Sequence, residues 1–195
     1  MAKAGDELIN PVTGLRTVFR KTARDTDGDL LQVDWIGSPG WTTGPDHVHP
    51  LQEERFEVLS GKLGLRLDDV ERVHGAGEVI VAAAGSAHAA WNASSDDEVH
   101  VLVDFRPALR TETAFEILAG LARDAKTNKA GAPGNPLLLA LVLHHFEEEI
   151  YFVRPPLAVQ RVIFGALARI ARLLGYRAEY SYPYARRSEA SQTEA

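Results

Sequence analysis

The sequence predicts a mainly-β domain followed by a C-terminal α-helical extension. Three observations carry that expectation. Between residues 15 and 105, short alternating or β-branched stretches recur, separated by Gly- and Asp-rich turns, which is the pattern of an antiparallel sandwich or barrel. At Pro107 the apolar period changes to the 3.6 residues of a helix. No glycine-rich dinucleotide or P-loop signature interrupts the pattern, so a Rossmann or nucleotide-triphosphate site is unsupported.

Taken in order, the first ten residues are polar and are expected to be loosely held. Residues 15–21 read as a strand, and 22–29 as a polar stretch closed by the turn signal Asp27-Gly28-Asp29. Residues 30–36 form a second strand, and 37–50 are a Gly- and Pro-dense loop. Strands follow at 55–59, 63–67, 78–82, 88–92 and 99–105, with turns at Ser60-Gly61, Asp68-Asp69, 83–86 and 94–97. Gly61 and Gly85 sit between strands, where positive φ is expected. Residues 111–123 read as a helix with Phe115, Leu118 and Ala122 on one side. A breaker-rich linker, 126–136, leads to a second helix from 137 to about 150, aliphatic in its first half. A third runs from 156 to 174, with Val159, Ile163, Leu167, Ile170 and Leu174 as its stripe and Arg161, Arg169 and Arg172 on the other face. Gly175 is its terminator, and the tail after Tyr184 is polar and frayed. The division is thus 1–107 for the β domain with its N-terminal strands, and 108–195 for the extension and tail.

Composition narrows the function. The chain has 195 residues, 45% of them hydrophobic, enough for a real core. With 27 acidic and 21 basic residues it carries a formal charge of −6 and no basic tract, so nucleic acid is not the expected partner. Cysteine is absent, which removes disulfides, thiol nucleophiles and thiolate zinc sites. The N-terminus has no apolar leader and the longest aliphatic run, 137–143, is too short to span a membrane. A cytoplasmic protein without membrane association is the expectation.

Any metal must therefore use His, Asp or Glu. His47 and His49 stand two apart, so on an extended chain both imidazoles point the same way and can meet one ion. Glu54 opens the next strand and can return alongside them, and His88 on a later strand can supply a fourth ligand. Three imidazoles and a carboxylate suit a divalent Fe, Mn, Ni, Co or Zn.

These residues carry a resemblance. The run His47-x-His49-x4-Glu54-x6-Gly61 and the run Gly77-x7-Gly85-x2-His88-x3-Asn92 resemble the two motifs of the cupin superfamily, in the short-spaced form of small bacterial members. The resemblance spans residues 30–107 and implies a double-stranded β-helix, a jelly-roll barrel. It also implies that His47, His49, Glu54 and His88 are the metal ligands and the catalytic centre. Two positions depart from the motifs: Trp41 replaces a glycine ahead of His47, and Ala83 replaces a turn-stiffening proline.

Strand parity places Glu54, Phe56 and Val58 on one inward row, as an apolar wall beside the metal, and His88, Ala90 and Asn92 on another. Asn92 is read as a turn residue, Gln52 and Glu53 as loop residues at solvent or the pocket mouth. His100 is read as a sheet-surface or core histidine, His74 as exposed, and His144 and His145 as structural or surface residues. Trp35, Trp41 and Trp91 belong to the core or pocket rim.

The expected function is a small metalloenzyme acting on a small organic, aromatic or polyketide-like substrate, as an oxygenase. The alternatives are a metal-dependent isomerase or cyclase, and a non-catalytic small-molecule-binding cupin. The aliphatic second helix and the uncovered sheet edges of such domains point to a homodimer. The competing idea for the third helix is attachment to a membrane surface through its apolar stripe and arginines.

Overall fold

The structure, a computed structural model, describes residues 2–179. Among the described residues, eleven strands and three α-helices are arranged as two antiparallel sheets followed by a helical layer. The strands are β1 (Glu7–Ile9), β2 (Leu15–Lys21), β3 (Leu31–Gly37), β4 (His47–Val48), β5 (Glu53–Ser60), β6 (Lys62–Leu67), β7 (Val70–Gly75), β8 (Val79–Ala82), β9 (Ala87–Asn92), β10 (Val99–Arg106) and β11 (Tyr151–Phe152). The helices are α1 (Thr111–Arg123), α2 (Pro136–His145) and α3 (Leu157–Leu173). The first sheet runs β1-β2-β3-β10-β5-β8 and the second β11-β4-β9-β6-β7. This is a mainly-β fold followed by C-terminal helices, as the sequence predicts.

The inward rows of both sheets meet in one core. Phe19, Val33, Phe56, Val58, Val101, Val103 and Phe105 come from the first sheet, Leu63, Leu65 and Ala90 from the second, all buried. Their period of two turns every other side chain inward, so the polar ladder lies outside. Gly61 and Gly85 adopt φ of 78° and 87° as expected. At Gly61 a Cβ would also stand 2.5 Å from the Glu98 carbonyl oxygen, so a side chain is excluded there twice over.

Several expectations need correction. The N-terminus is not loose: β1 pairs with β2, and Ala2 and Leu8 are buried. A hairpin strand, β7, pairs with β6 although its side chains are mostly exposed, which hid it from a burial-based pattern. The second helix stops at His145. Its continuation would have put Glu147, Glu148 and Glu149 at the negative end of a helix, an unfavourable place for carboxylates. The chain turns instead, and β11 pairs with β4.

The helical layer explains the aliphatic run. Asn135 caps α2 by accepting from the Leu137 and Leu138 amides, and Pro136 sits in its first turn. Leu138, Val142 and Phe146 then pack on Ile117 and Leu121 of α1, while Leu141 packs on Ala168 and Ala171 of α3. Both sides of α2 are thus covered within one chain. On α3 the contact face is the small one, and the larger apolar side chains point out: Val162 is 73% exposed and Leu173 87%, with Val159, Ile163 and Ile170 also exposed. The expected stripe is therefore mostly outward. Among the described residues no helix is long and apolar enough to cross a membrane. The polar tail after Tyr184 lies outside the described residues.

Candidate metal centre

The two sheets bring four side chains together. His47 on β4 is paired with His88 on β9, His49 follows β4 directly, and Glu54 rises from β5 in the opposite sheet. His47 and His49 keep the same side as their spacing requires, with ring centroids 5.2 Å apart, and His47 and His88 lie 4.5 Å apart. One ligand atom from each of His47, His49, Glu54 and His88 falls within 4.8 Å of all the others, and all four residues are buried.

The hydrogen bonds show which atoms remain free to bind. His47 Nδ1 lies 3.1 Å from the Pro45 carbonyl, His88 Nδ1 3.2 Å from that of Ser86, and His49 Nδ1 2.5 Å from that of Glu149. A carbonyl only accepts, so each Nδ1 carries a hydrogen and each Nε2 is turned inward. Glu54 Oε2 stands 2.8 Å from His88 Nε2 and 3.3 Å from His49 Nε2. Three inward Nε2 atoms and a carboxylate are the donor set of a divalent-metal site.

Electrostatics agree with that set. Burial, reinforced by the neighbouring imidazoles, pushes the His47 pKa down to about 3, so this ring is neutral and its lone pair available. Burial opposes ionisation of Glu54, but hydrogen bonds from His49 and His88 outweigh it and hold the carboxyl well below its usual range. Burial also opposes protonation of His88, yet the adjacent Glu54 raises its pKa overall. A buried carboxylate surrounded by imidazoles calls for positive charge, and a divalent ion supplies it without desolvating a second side chain.

The cluster opens onto a cavity of about 180 Å³. Trp35, Trp41, Phe105 and Phe115 wall it, and His47, His49 and Glu54 line its inner end. The wall differs from the one parity suggested. Phe56 sits 6.2 Å from His88, within the core, and Val58 is likewise core, whereas Phe105, 5.8 Å from His49, faces the cavity. Trp41, the departure from the first motif, packs edge-on against Trp35 at 5.6 Å. Ala83, the second departure, leaves a turn still closed by the Ser86 amide on the Ala83 carbonyl, and the Gly85 amide donates to His49. The indole N–H of Trp35 is buried without an acceptor among the described residues.

Other candidates settle elsewhere. Asn92 takes the turn role: its Oδ1 accepts from the Ser94 amide and its Nδ2 donates to Gly37 and Asp97. Gln52 is not at solvent; it is fully buried and donates to Pro107, Ala108 and Thr111. His100 lies on the outer sheet face, 3.1 Å from Asp34. His74 is half-buried beside Glu78 rather than exposed. Sequence reasoning missed Arg110 and Glu149, which carry no motif and meet only in the folded chain.

Comparison with known proteins follows the same division. Residues 35–104 match the cupin domain family. KdgF from Halomonas sp. is similar in structure, at 21% identity and a TM-score of 0.42, over 48% of this chain and 79% of that one. An RmlC-like cupin from Shewanella frigidimarina aligns at 19% identity and 0.47, over 57% and 93%. A predicted oxalate decarboxylase from Thermotoga maritima aligns at 17% and 0.48, over 54% and 94%. No curated protein matches the sequence. Residues 35–104 of this chain are thus similar to the cupin domain family, and the inward His and Glu side chains within them form a cluster that could hold a divalent ion.

Proposed function

We propose that this protein is a metal-dependent oxygenase acting on a small, uncharged aromatic or polyketide-like compound. His47, His49, Glu54 and His88 hold the ion and form the catalytic centre; Fe, Mn, Ni, Co and Zn all suit the donors. The observation that carries this reading is the cavity. Four aromatic side chains wall it, and among the described residues no Lys or Arg lines it and its ionisable groups are those of the metal cluster alone. An anionic substrate would find no counter-charge there except the metal, whereas a flat neutral ring finds stacking surfaces.

The bound ion supplies Lewis acidity to a substrate oxygen and, for a redox-active metal, a path for electrons to O₂. The chain does the rest. Trp35 and Trp41 orient the ring, and Phe105 and Phe115 keep water from the inner end. In this reading residues 1–107 curl into a jelly-roll barrel around the cavity and 108–195 are the helical extension and polar tail. Two chains associate, with the outward apolar side chains of α3 available for the contact. Light scattering at about twice the 21.3 kDa chain mass is the expected outcome, and a monomer contradicts it.

Oxygen uptake by the metal-loaded protein, screened with neutral phenols and cyclic ketones against carboxylates and sugar phosphates, tests the chemistry. Uptake with neutral rings, lost in His88→Ala, supports it. Conversion of a substrate without oxygen uptake replaces the oxygenase by an isomerase or cyclase. Binding without any turnover replaces the enzyme by a ligand-binding cupin.

A further inference from the structure

The three imidazoles of the cluster are turned alike but anchored differently. His47 and His88 each donate Nδ1–H to a carbonyl two residues back, Pro45 and Ser86, so their anchors fold with their own loops. The Nδ1 partner of His49 is the Glu149 carbonyl, 100 residues further along the chain and in the helical extension. We propose that the extension completes the metal centre: the Glu149 carbonyl fixes the tautomer and ring plane of His49, and Arg110 holds that carbonyl in place. The proposal rests on the metal-binding reading above.

The geometry around Glu149 is that of a clamp. Its carboxylate is 3% exposed and takes a forked pair from Arg110, Nε to Oε1 at 2.9 Å and Nη2 to Oε2 at 3.2 Å. A carboxylate so buried needs a cation, and Arg110 supplies it. The same guanidinium donates from Nη2 to the His145 carbonyl at 2.6 Å and lies 5.1 Å over the Phe146 ring. One side chain, at the start of α1, therefore gathers the end of α2 and the turn behind it.

Beyond the turn the chain is held again. β11 pairs Phe152 with His47 and Tyr151 with Val48, and the Val153 amide donates to Asp46. Gln160 of α3, itself buried, donates to the Phe152 and Pro155 carbonyls. The Glu149 carbonyl sits between these two fixtures, one ionic and one a strand ladder. Outer partners of this kind keep the proton on Nδ1, leave Nε2 for the ion and raise its basicity. Arg110 and Glu149 are thus positioning residues rather than ligands.

Three variants of the full chain test this: Arg110→Met, Glu149→Gln and Arg110→Lys. Two readouts are taken, Zn²⁺ affinity by competition with a chromophoric chelator, and the ¹⁵N signals of the imidazole rings in metal-free protein. The first two variants are expected to weaken Zn²⁺ binding roughly 10- to 100-fold. The His49 ring signals should move towards a tautomer mixture while those of His47 and His88 stay in place. Arg110→Lys, which keeps the charge but loses the fork, should fall between parent and Arg110→Met. Should Arg110→Met not fold, the near-isosteric Glu149→Gln decides alone. Variants that melt earlier but keep the parent's affinity and His49 signals overturn the proposal, because the ion pair then only stabilises the fold. A parent chain that takes up no Zn²⁺ overturns the metal reading itself.

Discussion

Two histidine–carboxylate groupings lie in the same β domain, one turned inward and the other outward. Inside, His47, His49 and His88 surround Glu54. Outside, His100 meets Asp34, which also takes a hydrogen bond from Arg20. Both carboxylates are nearly inaccessible, at 1% for Glu54 and 3% for Asp34. The difference lies in what each has already been given. Asp34 spends one oxygen on His100 and the other on Arg20, a side chain half in water, so its charge is answered within the protein. Glu54 has only imidazoles, and each of these has committed its Nδ1 to a backbone carbonyl. A metal site is thus marked by inward donors that meet only one another in a desolvated place, more than by the residue types themselves.

Removing an inner ligand should have the largest effect. His88→Ala or Glu54→Gln should take bound metal from about one ion per chain to near none, a closed ligand set being broken. His100→Ala, measured alongside, should retain the full content. Equal losses in both would erase the distinction between the groupings.

A smaller effect separates the cavity from the metal. Trp35→Phe removes a buried donor while keeping an aromatic wall. Affinity for a neutral ring compound should fall no more than about tenfold, because the smaller ring keeps part of the stacking face, with metal content unchanged. Loss of metal in this variant would tie the indole to the ion instead.

The inner group should also govern acid stability of the metal-free protein. His47 and Glu54 both have depressed pKa values in the fold, so the unfolded chain takes up their protons first. Their contribution is present above the unfolded values, 6.5 and 4.5, and is lost as pH falls. His88, with a raised value, has the opposite sign: its contribution is present below 6.5 and lost as pH rises through the raised value. Above 6.5 it is the contribution of His88 that changes with pH, between 6.5 and 4.5 that of His47 falls unopposed, and below 4.5 Glu54 joins His47. The melting temperature should fall as pH drops from 6.5 to 4.5 and fall more steeply below 4.5. A flat profile below pH 4.5 contradicts this.

The outer pair should give the smallest effect. His100 is partly exposed and Asp34 keeps Arg20, so His100→Ala should cost no more than about 1 kcal/mol in chemical denaturation. A larger loss would show that the outer grouping carries strain or charge that the exposed histidine had been relieving.

Much of the β part was legible because its information is local. Alternation places Leu15–Lys21 and Val99–Arg106 almost to the residue, and the spacing of His47, His49 and Glu54 follows from strand parity and one return. β1 and β11 were not legible, since three and two residues carry no measurable period and form only by pairing with distant strands. The cavity wall was half legible. Parity turns Phe56 and Val58 inward, but it does not show which inward residues face empty space and which are packed, and the wall is built by Trp35 and Phe105 instead. The Arg110–Glu149 pair joins residues 39 apart, across two helices, and nothing in their local sequence announces it.

The central claim is that the inward set binds a divalent ion through three Nε2 atoms and one carboxylate. Elemental analysis of the full chain, purified without chelator and then exposed in turn to Fe, Mn, Ni, Co and Zn, tests it most directly. The account predicts about one tightly held ion per chain for at least one metal, absent from His88→Ala and present in His100→Ala. No retention of any of the five metals by the parent chain, or equal retention by the parent and His88→Ala, would contradict it.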